Sequence, residues 1–131
     1  TKNVDVLLTV FPAISWAFFS DAGFKVMTAD DALKAISAQQ EFKADLLLLD
    51  LNIPEGGGIL VFETLRARQD MVPIIFSTGK PETIANLAEL PDITVVTKPT
   101  APEVLMGVVQ KALSRQAEQL MNPAPPPPPR G

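Results

Sequence analysis

The sequence predicts one α/β domain, built on a doubly wound parallel sheet of five strands with helices on both faces. Three observations lead to this fold class. Short apolar runs alternate five times with segments of helical periodicity. One of these runs is apolar along its whole length, as in a strand that is buried on both faces. The 131 residues, 47% hydrophobic and 20% charged, suit a single folded domain.

The first strand–helix unit opens with the apolar run Val4-Asp5-Val6-Leu7-Leu8, which has the length of a strand. Pro12 fits the first turn of the helix that follows, and Gly23 fits the position just past its end. The run at residues 24–28 predicts the second strand.

Asp30 or Asp31 can cap the second helix, because a short acidic side chain accepts a hydrogen bond from the first helical N–H groups. The third strand is predicted at residues 45–50, where four leucines lie between two acids. Gly56-Gly57-Gly58 then predicts a flexible connection, and a helix follows over about residues 59–68.

The fourth strand is predicted at residues 73–77, and a short helix follows it over about residues 81–90. The fifth strand is predicted at residues 93–97, and the last helix at residues 102–121. Crossovers between parallel strands are right-handed, which makes this a doubly wound sheet. In such sheets the ligand crevice lies beyond the carboxyl ends of the strands.

The chain divides into a folded domain, residues 1–121, and a proline-rich tail, residues 122–131. The tail contains six of the 13 prolines, and proline removes the N–H that helices and sheets need. The tail is therefore predicted to be an extended linker, with a docking peptide for an aromatic groove as the alternative.

Composition excludes several classes of protein. The absence of histidine and cysteine removes the Ser-His-Asp triad, thiolate or imidazole metal sites, and disulfides. With Arg130 in the tail set aside, the chain has 15 acidic and 10 basic residues, which argues against direct nucleic-acid binding. No run is long enough to span a membrane, so a cytoplasmic protein is expected.

Three polar residues lie at the ends of predicted strands and should meet at one edge of the sheet. Asp50 ends the third strand, Thr78 follows the fourth, and Lys98 follows the fifth. A carboxylate can act as the nucleophile toward a phosphoryl group, whose oxygens the hydroxyl and the ammonium can hold. Taken singly, each residue also fits a turn, a cap or a solvated surface position.

The same residues lie in motifs that resemble the receiver domain of two-component response regulators. Residues 47–58 resemble the phosphoacceptor strand and its loop, residues 73–79 the fourth strand, and Thr97-Lys98-Pro99 the Lys-Pro motif of the family. The resemblance covers about residues 3–120. It implies a flavodoxin-like sheet of order 2-1-3-4-5, with Asp50 as the phosphorylated residue.

By the same resemblance, Thr78 is the switch hydroxyl that senses the phosphate, and Lys98 is the cation that binds it. Receiver domains bind Mg²⁺ through an acidic pair after the first strand, where this chain has Thr9 and Val10. Asp50 and the backbone carbonyl of Asn52 would remain as metal ligands, which makes a poor magnesium site.

Two further positions differ from the receiver pattern. Asp5 does not replace the missing acids, because it lies four residues too early on the strand, about 13 Å back. Val95 stands where the family commonly has an aromatic residue that reports the movement of the threonine, and Thr100 stands where an aromatic often follows Lys-Pro. These departures predict a degenerate receiver, or pseudo-receiver.

Three function classes follow. The first is a non-enzymatic signalling module of a two-component or phosphorelay system, which acts through protein contacts with little or no Mg²⁺-dependent phosphorylation and has no cofactor. The second is a working phosphoacceptor receiver, modified on Asp50 with Mg²⁺. The third is a phosphatase of the haloacid dehalogenase type, which needs a second Asp where Asn52 stands.

The resemblance also implies partners: a histidine kinase, an output domain or another receiver. A homodimer could form through the fourth predicted helix, the fifth strand and the last helix. Contact with nucleic acid or a membrane is not expected.

Overall fold

The structure is a computed structural model, and it describes five parts of the chain: residues 5–9, 13–52, 55–90, 92–98 and 101–121. Within these parts, the side chains of residues 8–9, 13–16 and 116–121 are not described. Five residues discussed above lie outside the described residues, as does the proline-rich tail: Val4, Val10, Pro12, Pro99 and Thr100.

The described residues form a five-stranded sheet of order β2-β1-β3-β4-β5, in which all paired strands are parallel. The predicted fold class and strand order are therefore confirmed. The strands are β1 Asp5–Thr9, β2 Lys25–Ala29, β3 Leu46–Asp50, β4 Ile74–Thr78 and β5 Ile93–Thr97. The α-helices are α1 Ala13–Asp21, α2 Ala32–Phe42, α3 Gly57–Ala67 and α4 Pro102–Met121.

Strand β3 lies in the middle of the sheet and contributes to a core on each face. Leu47 and Leu49 pack with residues of α2 and α3, whereas Leu46 and Leu48 pack with residues of α1 and α4. All four leucines are fully buried. Burial of one leucine side chain contributes roughly 1.5–3 kcal/mol, so this strand anchors both layers.

The acids near the strand ends have separate roles. The Asp31 carboxylate accepts a hydrogen bond from the Lys34 N–H at 2.7 Å and caps α2, while Asp30 forms an exposed ion pair with Lys34. At the start of β1, the N–H of Asp5 donates to the Asp45 carboxylate at 2.9 Å. Asp5 is therefore at the amino edge of the sheet, as expected, and Asp50 is at the carboxyl edge.

The short helix expected over residues 81–90 is not an α-helix. The segment forms two 3₁₀ turns instead, Pro81–Ile84 and Leu87–Glu89. Thr83 donates both its N–H (3.1 Å) and its hydroxyl (2.8 Å) to the carbonyl of Lys80, three residues earlier, and this spacing defines a 3₁₀ turn. The partner surface expected on this side consequently lacks its fourth helix.

The three consecutive glycines were predicted to precede the third helix, but Gly57 and Gly58 already belong to α3. Gly56 has φ +116°, a conformation that side chains rarely adopt, at the N-cap of α3. A Cβ on Gly58 would lie 3.1 Å from the Asp50 carbonyl oxygen and 3.1 Å from the Phe76 ring. The first turn of α3 therefore packs directly on the end of β3.

The half-buried Arg66 and the buried Gln39 hold the amino edge of the sheet. The Arg66 guanidinium donates to the carbonyls of Asp70 (2.8 Å) and Val72 (3.0 Å), and it lies 5.3 Å from the centre of the Phe62 ring. Burial lowers the pKa of Arg66 below its usual value, and the negative charges of Asp92 and Asp70 oppose that shift. Gln39 both donates to and accepts from the backbone of Ala44.

In the part of the chain that the structure describes, no helix is both long enough and apolar enough to cross a bilayer. The cytoplasmic location remains a prediction.

The packing of α3 on β3 makes a testable prediction. Gly58→Ala should lower the free energy of unfolding by about 1 kcal/mol or more, because its methyl group meets a backbone carbonyl and an aromatic ring. Gly107→Ala in α4 is the matched control, since a Cβ there meets nothing within 4 Å. It should raise stability by roughly 0.5–1 kcal/mol through helix propensity. Urea denaturation of both variants checks this, and equal gains would refute the close contact.

Candidate functional site

The sheet brings the three predicted site residues to its carboxyl edge. Asp50 is the last residue of β3, Thr78 is the last residue of β4, and Lys98 directly follows β5. Asp50 is the register partner of Ser77, next to Thr78. The N–H of Lys98 donates to the Thr78 carbonyl at 2.9 Å, which continues the β4–β5 pairing by one residue.

The Asp50 carboxylate is nearly buried and has a partner on each oxygen. Its Oδ1 accepts a hydrogen bond from the Asn52 N–H at 2.9 Å, and its Oδ2 accepts one from Lys98 Nζ. The Asp50 side chain is 11% exposed and that of Lys98 is 39% exposed. Lys98 and Asp50 thus form an ion pair at the carboxyl edge of the sheet.

The energetics of this pair follow from its unequal burial. A carboxylate in low-dielectric surroundings is costly unless a charge and hydrogen bonds compensate for the lost water. The Asn52 N–H and the Lys98 ammonium provide both for Asp50. Because Lys98 is partly solvated, it loses less hydration than a fully buried cation would, so the pair avoids part of the usual penalty.

Thr78 is buried, 2% exposed, and its hydroxyl belongs to the turn after β4. Thr78 Oγ1 accepts a hydrogen bond from the Lys80 N–H at 3.0 Å. A hydroxyl that accepts one bond can still donate its own hydrogen. Thr78 is therefore anchored by the backbone and keeps a donor for a ligand at this edge.

The carboxylate that the sequence proposes as a magnesium ligand is that of Asp50. Mg²⁺ is held by oxygen ligands and favours carboxylates. Here each Asp50 oxygen already faces an N–H donor, and one of these donors is a charged ammonium that would repel a cation. Among the described residues there is no group of three or more His, Cys, Asp or Glu that could hold a metal. The side chains of Thr9 and Val10 are not described, and neither residue type has a carboxylate.

The sequence did not reveal two contacts of this site. The backbone N–H of Lys80 holds the Thr78 hydroxyl, and Gly58 packs on the carbonyl of Asp50. The first depends on which groups of the turn after β4 bond to each other, and the sequence does not specify this. The run of glycines was a signal for the second, but it is equally typical of a flexible loop.

Comparison with known proteins identifies the family. The family model of the response regulator receiver domain matches residues 10–110, most of the chain. The chain is a member of the response regulator receiver family. It is accordingly a two-component signalling module, and this assignment separates it from the phosphatases considered from the sequence.

Curated relatives are longer proteins. The receiver is 34% identical over 99 residues to the alkaline phosphatase synthesis transcriptional regulatory protein PhoP of Bacillus subtilis. This alignment covers 74% of this chain and 41% of PhoP. It is 34% identical over 99 residues to the DNA-binding response regulator MtrA of Mycolicibacterium smegmatis, and this alignment covers 74% of this chain and 43% of MtrA. The chain thus spans less than half the length of these relatives.

Solved structures show the same fold. The chemotaxis response regulator CheY4 of Vibrio cholerae superposes with a TM-score of 0.73 at 21% identity, covering 85% of this chain and 99% of that one. The signal receiver domain of a putative LuxO repressor protein from Vibrio parahaemolyticus gives a TM-score of 0.77 at 19% identity. The superposition covers 94% of this chain and 100% of that domain.

The partner prediction, which excluded nucleic acid, is wrong. MtrA is named a DNA-binding response regulator, and PhoP a transcriptional regulatory protein. The exclusion rested on the acidic charge of this sequence, which corresponds to less than half of each relative. Charge on a receiver says nothing about a DNA-binding region in the rest of such a protein.

The ion pair leads to a prediction for stability. Lys98→Met, which keeps the aliphatic stem and removes the charge, should lower the free energy of unfolding by roughly 1–2 kcal/mol, because Asp50 loses its cation. Asp50→Asn should cost less, since its amide oxygen still accepts from Lys98. In a double-mutant cycle by urea denaturation, the coupling should be about 1 kcal/mol. Coupling indistinguishable from zero would mean that Lys98 is solvated.

Proposed function

We propose that this receiver is the regulatory module of a DNA-binding response regulator and that its Asp50 site is held by Lys98 in one charge-paired state. It acts through contacts with other protein segments, with little or no Mg²⁺-dependent phosphorylation. The observation that carries the proposal is the ion pair between a nearly buried Asp50 and Lys98, at a site where the described residues include no group of three or more His, Cys, Asp or Glu that could hold a metal.

The charge balance explains why phosphorylation should be weak. Asp50 and an incoming phosphoryl donor are both anionic, and a divalent metal supplies several kcal/mol of charge stabilisation in such transfers. Each ~1.4 kcal/mol changes the rate about tenfold, so loss of the metal costs about a thousandfold or more. The single ammonium of Lys98 carries half the charge of Mg²⁺ and is already paired with Asp50.

A working phosphoacceptor is the second candidate function. It is favoured by the presence of Asp50, Thr78 and Lys98 together at the carboxyl edge, and by the 34% identity to PhoP. In that case an Asp50 oxygen forms a bond to phosphorus while the bond from phosphorus to the donor breaks. Lys98 then moves to a phosphoryl oxygen, and Thr78 donates its hydroxyl to another.

The relatives favour a DNA-binding output. This chain spans about two fifths of PhoP and MtrA, which are named as a transcriptional and a DNA-binding protein. We therefore propose that the receiver controls a DNA-binding domain in the same protein. The proline-rich residues 122–131 are suited to connect the two, since polyproline is an extended, semi-rigid spacer.

Phosphorylation with a small-molecule donor separates the two candidates. The receiver is incubated with phosphoramidate, with and without Mg²⁺, and its intact mass is measured. We expect little modification in both conditions. In a variant that carries Thr9→Asp and Val10→Asp, which restores the acidic pair, Mg²⁺ should raise the modification at least about tenfold.

Two controls define the outcomes. Asp50→Asn in the restored variant should abolish the modification, whereas Asp45→Asn, at the opposite edge of the sheet, should leave it intact. Efficient Mg²⁺-dependent modification of the unaltered receiver, lost in Asp50→Asn, would contradict the proposal and establish the working phosphoacceptor instead.

A further inference from the structure

A cavity of about 670 Å³ lies at the amino edge of the sheet, opposite the Asp50 site. It is formed where α2 and α3 end and the chain turns into β3 and β4. Six of its lining residues matter here: Lys43, Ala44, Leu65, Arg68, Asp70 and Val72. Its volume falls within the range of small-molecule sites in proteins.

The cavity has an apolar floor. Ala44, Leu65 and Val72 line it and are 5%, 2% and 6% exposed. Met71, at 56% exposure, adds a flexible thioether to the lining. A ligand with an apolar ring or branched chain would therefore gain from transfer out of water.

The acids of the cavity are already compensated by hydrogen-bond donors of the protein. Asp70 Oδ1 accepts from the Val72 N–H and Asp70 Oδ2 from Gln39 Nε2, both at 3.1 Å. Asp45 Oδ2 accepts from the Asp5 N–H at 2.9 Å. These contacts direct the acids toward the protein and leave the cations to face a ligand.

The cations keep most of their donors. Arg68 reaches across from α3 to α2, where its Nη1 donates to Gln40 Oε1 at 3.1 Å, and a guanidinium has five N–H donors in all. Among the residues that the structure describes, no carboxylate pairs with the exposed Lys43. Lys43 is held in the left-handed conformation, φ +52°, as the C-cap of α2.

We propose that this cavity binds a small organic acid, in which a carboxylate is attached to an apolar ring or branched chain. The carboxylate pairs with the planar fork of Arg68 and with Lys43, which match its charge, and the apolar body lies on Ala44, Leu65 and Val72. A cationic ligand would face the same two side chains and be repelled.

The proposed site is independent of the Asp50 site. Helix α3 begins beside Asp50, where Gly58 packs on its carbonyl, and ends at the cavity. Its 11 residues correspond to a length of about 16 Å. Ligand binding at the amino edge therefore requires neither the Asp50–Lys98 ion pair nor phosphorylation.

Three probes of similar shape test the charge requirement: phenylacetate, 2-phenylethanol and 2-phenylethylamine. Each is titrated into the full chain while the backbone amide signals of Lys43, Gln69 and Val72 are followed by NMR. Phenylacetate should shift these signals with a dissociation constant on the order of 1 mM, as expected for a ligand of this size. The neutral alcohol should bind at least about tenfold more weakly, and the amine should not bind.

Arg68→Met should weaken phenylacetate binding at least about tenfold. Arg115→Met, which removes an exposed arginine from α4, is the matched control and should bind like the unaltered chain. Asp50→Asn should also bind normally. The proposal is overturned if phenylacetate causes no shift at these amides, if the amine binds as well as the acid, or if Arg68→Met leaves the affinity unchanged.

Discussion

The carboxylate of Asp50 lies at the end of a strand whose four leucines are fully buried, and the Lys98 ammonium meets it there. A charge in this position is tolerable only with a cation and hydrogen bonds close at hand. The sheet supplies both, because strand order places β3, β4 and β5 side by side and the Lys98 backbone is fixed to Thr78. The carboxyl edge thus combines a nearly buried carboxylate with the cation that compensates its charge.

The two edges of the sheet are chemically different, and α3 connects them. At the carboxyl edge, Gly58 lets the first turn of α3 reach the Asp50 carbonyl. At the amino edge, Arg66 and Gln39 bond to the loop carbonyls that shape the cavity. Parallel strands between covering helices produce this separation, since every loop emerges at one of the two edges. One short domain can therefore present a charge-paired carboxylate and a cationic cavity at opposite ends.

The sequence was sufficient for the fold and for the positions of Asp50, Thr78 and Lys98, because strand ends follow directly from buried apolar runs. It failed for residues 81–90, where Thr83 bonds to the Lys80 carbonyl and a 3₁₀ turn replaces the expected helix. It also failed for Gly58, whose role depends on a neighbour distant in sequence, the Phe76 ring. The cavity could not be found either, since it is formed by two helix ends that meet only in the fold. The exclusion of nucleic acid was wrong because the net charge was counted over the receiver, which corresponds to less than half of each relative.

The state of the Lys98 ammonium tests the central claim most directly. Proton exchange of lysine side-chain ammonium groups can be followed by ¹H–¹⁵N NMR at low temperature, with the exposed Lys80 and Lys111 as internal references. If Lys98 is bound to Asp50, its ammonium protons should exchange at least several-fold more slowly than those of the references, and Asp50→Ala, which leaves no acceptor, should abolish the difference. Exchange at the reference rate in the unaltered protein would contradict the account.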